Sequence, residues 1–344
     1  MTNNSCASAC KKLLCLITNS PEARCANQRN APWKRRAAER RAAMAREISK
    51  MLLACSLLTS ATLCAQDRIV RLYEGPAPGS ESWTYAERIE ESGPRRIIHN
   101  VRNPELSVYP ADSEVANGAA VVILPGGGLR ILSVGDDTQA MIARLNAHGI
   151  TAILLKYRIL QVDPDAPPQR GPSPGNLPAV EIVKGNANPA RGDPAMDEVL
   201  EFATHDAETA MRYVRTHAGE WGVDPHRVGM IGTSAGGGVA FGALLAGDAA
   251  TRPDFIVSNF GPALQDVAIT DDAPPLFLAV DADHGPVTDG IIALRGIWAA
   301  AGAAVELHVY DVPTDAMNIS LWGDRLIAWL GEQGFLADTK AQGE

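Results

Sequence analysis

Ser234 stands in the middle of Gly232-Thr233-Ser234-Ala235-Gly236, inside the stretch VGMIGTSAGGG. A serine hydroxyl becomes a useful nucleophile when a sharp turn lifts it clear of the backbone, a base takes its proton and amide hydrogens wait for the charge it creates. Glycine on each side permits such a turn, because a side chain on either flank would clash within it. The plainer reading is a glycine-rich bend that only packs closely. A dinucleotide-binding turn is disfavoured, since no acidic residue closes a strand about 20 residues further on. A second piece is Leu124-Pro125-Gly126-Gly127-Gly128. Amides near Gly127 and Gly128, together with that of Ala235, are placed to hold a developing oxyanion, because no Cβ obstructs the approach. A phosphate loop is the weaker reading here, for the Lys and Ser/Thr that it needs are missing.

These residues do chemistry only if the surrounding elements present them. AAVVIL (119–124) and TAILLKY (151–157) are continuous apolar runs, and so are RVGMIG, DFIVSNF, PLFLAVD and AVELHVY further along. Between them lie segments at helical spacing: DTQAMIARLNAHG, with Gly149 as a stop, DEVLEFATHDAETAMRYVRTHAGEWG, the small-residue AGGGVAFGALLAG, DGIIALRGIWAAAG and SLWGDRLIAWLGEQG. Apolar strands alternating with helices predict a parallel sheet covered on both faces. RIVRLY, RRIIHNV and ELSVYP, ahead of it, read as antiparallel edge strands. Ser234 then falls between a buried strand and a helix, the setting that a nucleophile elbow requires.

Three blocks carry a family resemblance: AVVILPGGGLRILSVGDDTQAMIARLNAHGITAILLKYRI, DAETAMRYVRTHAGEWGVDPHRVGMIGTSAGGG and PLFLAVDADHGPV. In sequence and order they resemble the secreted bacterial esterases grouped with acetyl-xylan and feruloyl esterases, and LYEGPAPGSESW resembles that group's opening segment. The resemblance covers roughly residues 68 to 336. It implies the α/β-hydrolase fold, a mostly parallel doubly wound sheet with helices on both faces and antiparallel N-terminal edge strands. It also implies ester hydrolysis by a Ser, Asp, His triad, acting on acetylated plant polysaccharide or a similar small-acyl ester.

In this fold the acid follows the serine along the chain and the histidine comes last. The loop after PLFLAVD offers Asp281 and Asp283; the family's acid lies just before a Pro-Val pair, which favours Asp283 and leaves Asp281 as the alternative. A carboxylate capping the helix that starts near Thr288 is the structural reading for either. The resemblance places the histidine after the last strand, where this chain has Asp315. A carboxylate, with an unperturbed pKa of about 4, is a poor acceptor for a serine proton, and a second acid beside the first adds only repulsion. Of the seven histidines, His99, His148, His217 and His226 read as solvated or packed, and His308 as buried in the last strand. His205 and His284 are the two that could reach the mouth of the site.

The front of the chain has another character. All six cysteines lie in the first 65 residues, and residues 1–50 carry a net +8 against −17 for the remainder. MAREISKMLLACSLLTSATLCAQ (44–66) reads as a secretory signal peptide with cleavage near Ala65, too short for a membrane span. Translation is therefore expected to start at Met44, with residues 1–43 an upstream extension and 66–344 an exported hydrolase domain, periplasmic or secreted. A lipoprotein anchor on Cys55 or Cys64, or a basic arm at Lys34-Arg35-Arg36, suits the flanks less well. The acidic domain argues against nucleic acid as a partner, and nothing suggests stable membrane insertion. No metal or other cofactor is expected, since no His, Cys and carboxylate cluster has ligand spacing. The partner implied is a small-molecule or carbohydrate ester. The proline-rich passage at about 160–194 is expected to cover the Ser234 pocket or to stand as a surface insertion.

Two functions from different classes follow. One is a carboxylic ester hydrolase using Ser234, Asp283 and His284. The other is a degenerate hydrolase that binds an ester or sugar without turnover, Asp315 marking its lost base.

Overall fold

The computed structural model describes residues 68–165 and 177–336. The expected extension and signal peptide lie outside these residues, as does the middle of the proline-rich passage.

Eleven strands and five α-helices are described: β1 (Arg68–Arg71), β2 (Arg88–Ser92), β3 (Arg95–His99), β4 (Glu105–Tyr109), β5 (Ala120–Leu124), β6 (Leu132–Val134), α1 (Asp136–Ala147), β7 (Thr151–Lys156), α2 (Pro194–Thr216), β8 (Val228–Thr233), α3 (Ala235–Ala246), β9 (Ile256–Asn259), β10 (Leu276–Asp281), α4 (Pro286–Ala300), β11 (Val305–Tyr310) and α5 (Ile319–Glu332). The main sheet runs β1-β4-β7-β5-β8-β9-β10-β11. From β7 to β11 all neighbours are parallel, and β4 and β1 close one edge antiparallel.

The continuous apolar runs are explained by this sheet's two covered faces. On β5, Val121 and Ile123 join the cluster formed with Met141 of α1 and Trp322, Trp329 and Leu330 of α5. Val122 and Leu124 point the other way, to Met211 of α2, Val239 and Phe241 of α3 and Trp298 of α4. Every second residue serves one face, so neither face can be polar.

The expectation for RRIIHNV needs correction. β3 does not join the main sheet but lies between β2 and β6 in a separate three-stranded sheet. The reason is a strand hidden in the glycine-loop sequence: β6 leaves that loop and pairs Leu132 with Ile98, burying both. β2 is exposed along its whole length and so carries no apolar alternation to betray it.

One buried ion pair anchors the segment after β1. Arg158 and Asp206 are both fully buried and meet at 2.7 Å. The guanidinium also donates to Pro78 O and lies 4.6 Å from the Phe202 ring centre, while the Tyr73 hydroxyl donates to Asp206 Oδ1.

Candidate active site

The chain order of the parallel strands reverses at β5: β7 lies on one side of it and β8 on the other. Loops leaving the carboxyl ends of adjacent strands diverge at such a point and open a crevice between them. The two loops there are the glycine loop after β5 and the Ser234 turn after β8.

Ser234 has φ 50° and ψ −126°, a conformation that costs a non-glycine residue about 1–3 kcal/mol. Its neighbours hold it there. The amide of Ser234 donates to Asn259 O at 3.1 Å, and its carbonyl accepts from Gly237 at 2.9 Å. A Cβ on Gly232 would lie 2.5 Å from Gly236 O, and one on Gly236 would lie 2.2 Å from Leu124 O, so both flanks are closed to side chains. Ser234 itself is half-buried and opens into the cavity. Among the described residues its hydroxyl has no hydrogen-bond partner.

The glycine loop curls back on itself, with Gly127 O accepting from Arg130 and Ile131. Gly127, at φ +141°, leaves no room for a Cβ, which would stand 2.1 Å from Ile131 O. The buried Tyr157 hydroxyl donates to Pro125 O, and Leu160 N donates to Leu129 O, tying the loop to the strand beside it. Burial pushes the Tyr157 phenol well above its ordinary range, so it remains a donor. Gly127, Gly128, Ser234 and Ala235 line one cavity. The first amides of a helix have no partner within it, and Ala235 opens α3.

The loop after β10 brings in the candidate acid and base. His284 lines the same cavity and is only 4 % exposed. Its Nδ1 lies 2.9 Å from Asp281 Oδ1. A carboxylate can only accept, so Nδ1 carries the hydrogen and Nε2 is left as the acceptor. Thr314 donates to the other oxygen of Asp281 at 2.6 Å. Thr288, in α4, accepts from His284 N and donates to Asp281 O, fixing the loop from beneath.

Of the two acids, then, the hydrogen bond to the imidazole belongs to Asp281. Asp283, which the family spacing favours, is exposed. Neither caps the following helix by its side chain: Gly285 holds that position and no side-chain cap bond forms. Asp315 is exposed on a 3-10 turn and is not among the cavity residues. His205 lies in mid-helix, half exposed and near Glu208, and is not among the cavity residues. His308 is less buried than expected, with 30 % of its side chain exposed and Glu306 as its partner at 2.6 Å.

Thr314 is the site residue that sequence reasoning missed. A threonine beside the unexpected Asp315 carries no pattern, and only the approach of the β11 loop to the end of β10 reveals it. The described part of the proline-rich passage contributes Leu177, Pro178, Asn188 and Ala190 to the cavity. Among the described residues no group of three or more His, Cys, Asp or Glu is placed to hold a metal, and no helix is long and apolar enough to cross a membrane.

The mostly parallel sheet in the order β1-β4-β7-β5-β8-β9-β10-β11, with helices on both faces and a strained strand-to-helix turn after β8, is the α/β-hydrolase fold. The family model BD-FAE matches residues 195–263, which run from α2 through the elbow to β9. The chain is similar in structure to an acetyl ester-xyloside bifunctional hydrolase from Caldicellulosiruptor lactoaceticus, with a TM-score of 0.52 and 19 % identity over 80 % of this chain and 100 % of that one. It is also similar to a carboxylesterase from Lactobacillus plantarum WCFS1, at TM-score 0.49 and 16 % identity, covering 74 % of this chain and 98 % of that one. No curated protein matches the chain.

Proposed function

We propose that the protein hydrolyses carboxylic esters, with Ser234 as nucleophile, His284 as general base and Asp281 as the acid that orients it. The observation carrying this reading is the His284–Asp281 hydrogen bond in the wall of the cavity that Ser234 and the glycine loop also line. An imidazole held by a carboxylate supplies what Asp315 cannot.

The chemistry follows. Ser234 Oγ attacks the ester carbonyl carbon as His284 Nε2 takes its proton, and the carbonyl oxygen becomes an oxyanion held by amides of Gly127, Gly128 and Ala235. Asp281 stabilises the imidazolium that forms. The intermediate collapses, the C–O bond to the alcohol breaks, and His284 returns the proton to the departing oxygen. A water, deprotonated by His284, then attacks the acyl-serine; the proton goes back to Ser234 Oγ and the carboxylic acid is released.

For this order the Ser234 hydroxyl must turn toward Nε2 when substrate arrives, a tightening common to catalytic hydrogen bonds. The finer expectation, an acetyl ester of carbohydrate, rests on the resemblance and on the activity named for the Caldicellulosiruptor neighbour, and the lining of the cavity, taken up below, argues against it. Export of the domain is supported by residues 44–65 alone. Binding without turnover rests on Asp315, and the imidazole on the neighbouring loop weakens it.

Turnover of p-nitrophenyl esters by the full chain, beside Ser234→Ala and His284→Ala, tests the proposal. Activity lost in both variants supports it. No turnover by the parent, with turnover restored in Asp315→His, would show that the chain lost its base and that His284 does not serve.

A further inference from the structure

Resting on that reading, we infer that the substrate is an ester with an apolar acyl chain of roughly four to eight carbons, seated in the cavity beside Ser234, and that a sugar ring is not bound there.

The cavity holds about 740 Å³, far more than an acetyl group fills. Its walls include Leu129, Ile131, Leu177, Met196, Leu264 and Val287, from the glycine loop, the proline-rich passage, α2, the segment after β9 and α4. These are branched or flexible aliphatic side chains, and among the described lining residues there is no Trp, Tyr or Phe on which a sugar face could stack.

Few polar side chains face it. Apart from Ser234 and His284, the described lining residues offer only Asn188 and Arg130 as polar side chains. Asn188 is 8 % exposed; its amide nitrogen donates to Leu264 O at 3.1 Å and its oxygen accepts from Ala190 N at 2.8 Å. Arg130 is half-buried and is left as the single uncommitted polar side chain. A sugar carries several hydroxyls, and each one buried without a partner is costly. An alkyl chain needs none and gains from the same walls.

The acyl group is the better occupant than the alcohol because it stays on Ser234 through both half-reactions, whereas the alcohol must leave. At about 0.8 kcal/mol per buried methylene, each added carbon is worth about fourfold in kcat/KM until the cavity is full.

The test measures kcat/KM of the full chain for ethyl acetate, butyrate, hexanoate and octanoate by acid release, with hexyl acetate as the isomer of ethyl hexanoate. The ethyl group is too small to occupy the cavity. The expected result is a rise of at least tenfold from acetate to hexanoate, with hexyl acetate well below ethyl hexanoate. Ala190→Phe, which narrows the cavity, should lower kcat/KM for hexanoate at least tenfold more than for acetate. Acetate preferred over hexanoate, hexyl acetate preferred over ethyl hexanoate, or equal loss on both acids in Ala190→Phe would overturn this inference and leave esterase activity standing. If no ester in the series is hydrolysed, the esterase reading fails and this inference falls with it.

Discussion

His284 presents its Nδ1 to Asp281 Oδ1 at 2.9 Å, three residues back on the same loop, so that acid and base both descend from the end of β10. The arrangement separates Asp281 from Asp283 in a single experiment. Asp281→Asn should lower kcat by roughly a thousand- to ten-thousand-fold, since an amide there can hold the imidazole in the wrong tautomer. Asp283→Asn, on an exposed side chain, should stay within about threefold. Steady-state kinetics on any hydrolysed ester decide between them, and a reversed order of effects would return the acid to Asp283.

Thr314 occupies the second oxygen of Asp281 at 2.6 Å from a turn that follows β11. It is not among the cavity residues, and its hydrogen bond is placed to hold the carboxylate in line. Thr314→Val should reduce kcat about tenfold to a hundredfold with KM nearly unchanged, the range seen when an outer partner of a site is removed. Thr314→Ser should recover most of the loss. A change in KM alone, or no recovery with serine, would reduce the residue to packing.

Asp315 stands where the resemblance places a histidine, yet it is exposed and not among the cavity residues. Asp315→His should therefore change activity by less than about threefold. A gain of a hundredfold or more would identify the β11 loop as the proper seat of the base.

The backbone at Ser234 is held at φ 50°, where a Cβ is unwelcome. Ser234→Gly should raise stability by about 1 kcal/mol while abolishing turnover, and Ser234→Ala should abolish turnover without that gain. Thermal unfolding of the three proteins makes the comparison. Equal midpoints would show that the turn stores no strain.

Asp206 and Arg158 form the fully buried pair beneath the β1 segment. Asp206→Ala leaves a guanidinium uncompensated in the core, and should cost about 3–5 kcal/mol in denaturant unfolding. Replacing both, Arg158→Met with Asp206→Leu, should cost less than the single change. A double variant worse than the single one would show that the hydrogen bonds to Pro78 and Tyr73 matter more than charge balance.

What the chain's residues determined by themselves is the layered sheet and the Ser234 turn. Apolar runs such as PLFLAVD have no polar face to show, and Gly232 of the elbow is demanded by a contact of 2.5 Å with Gly236, four residues on, so both features are local enough to read. The second sheet escaped because β2 is wholly exposed and β6 is only three residues long. Between Asp281 and Asp283 spacing could not choose. Both sit in one loop, and the choice falls to the side chain that β10 ends by burying, met by Thr314 from a loop 33 residues away. The fate of the histidine likewise depended on which loops converge over the switch point. That convergence is a property of packed helices and strands at long sequence separation, and no pattern along the chain encodes it.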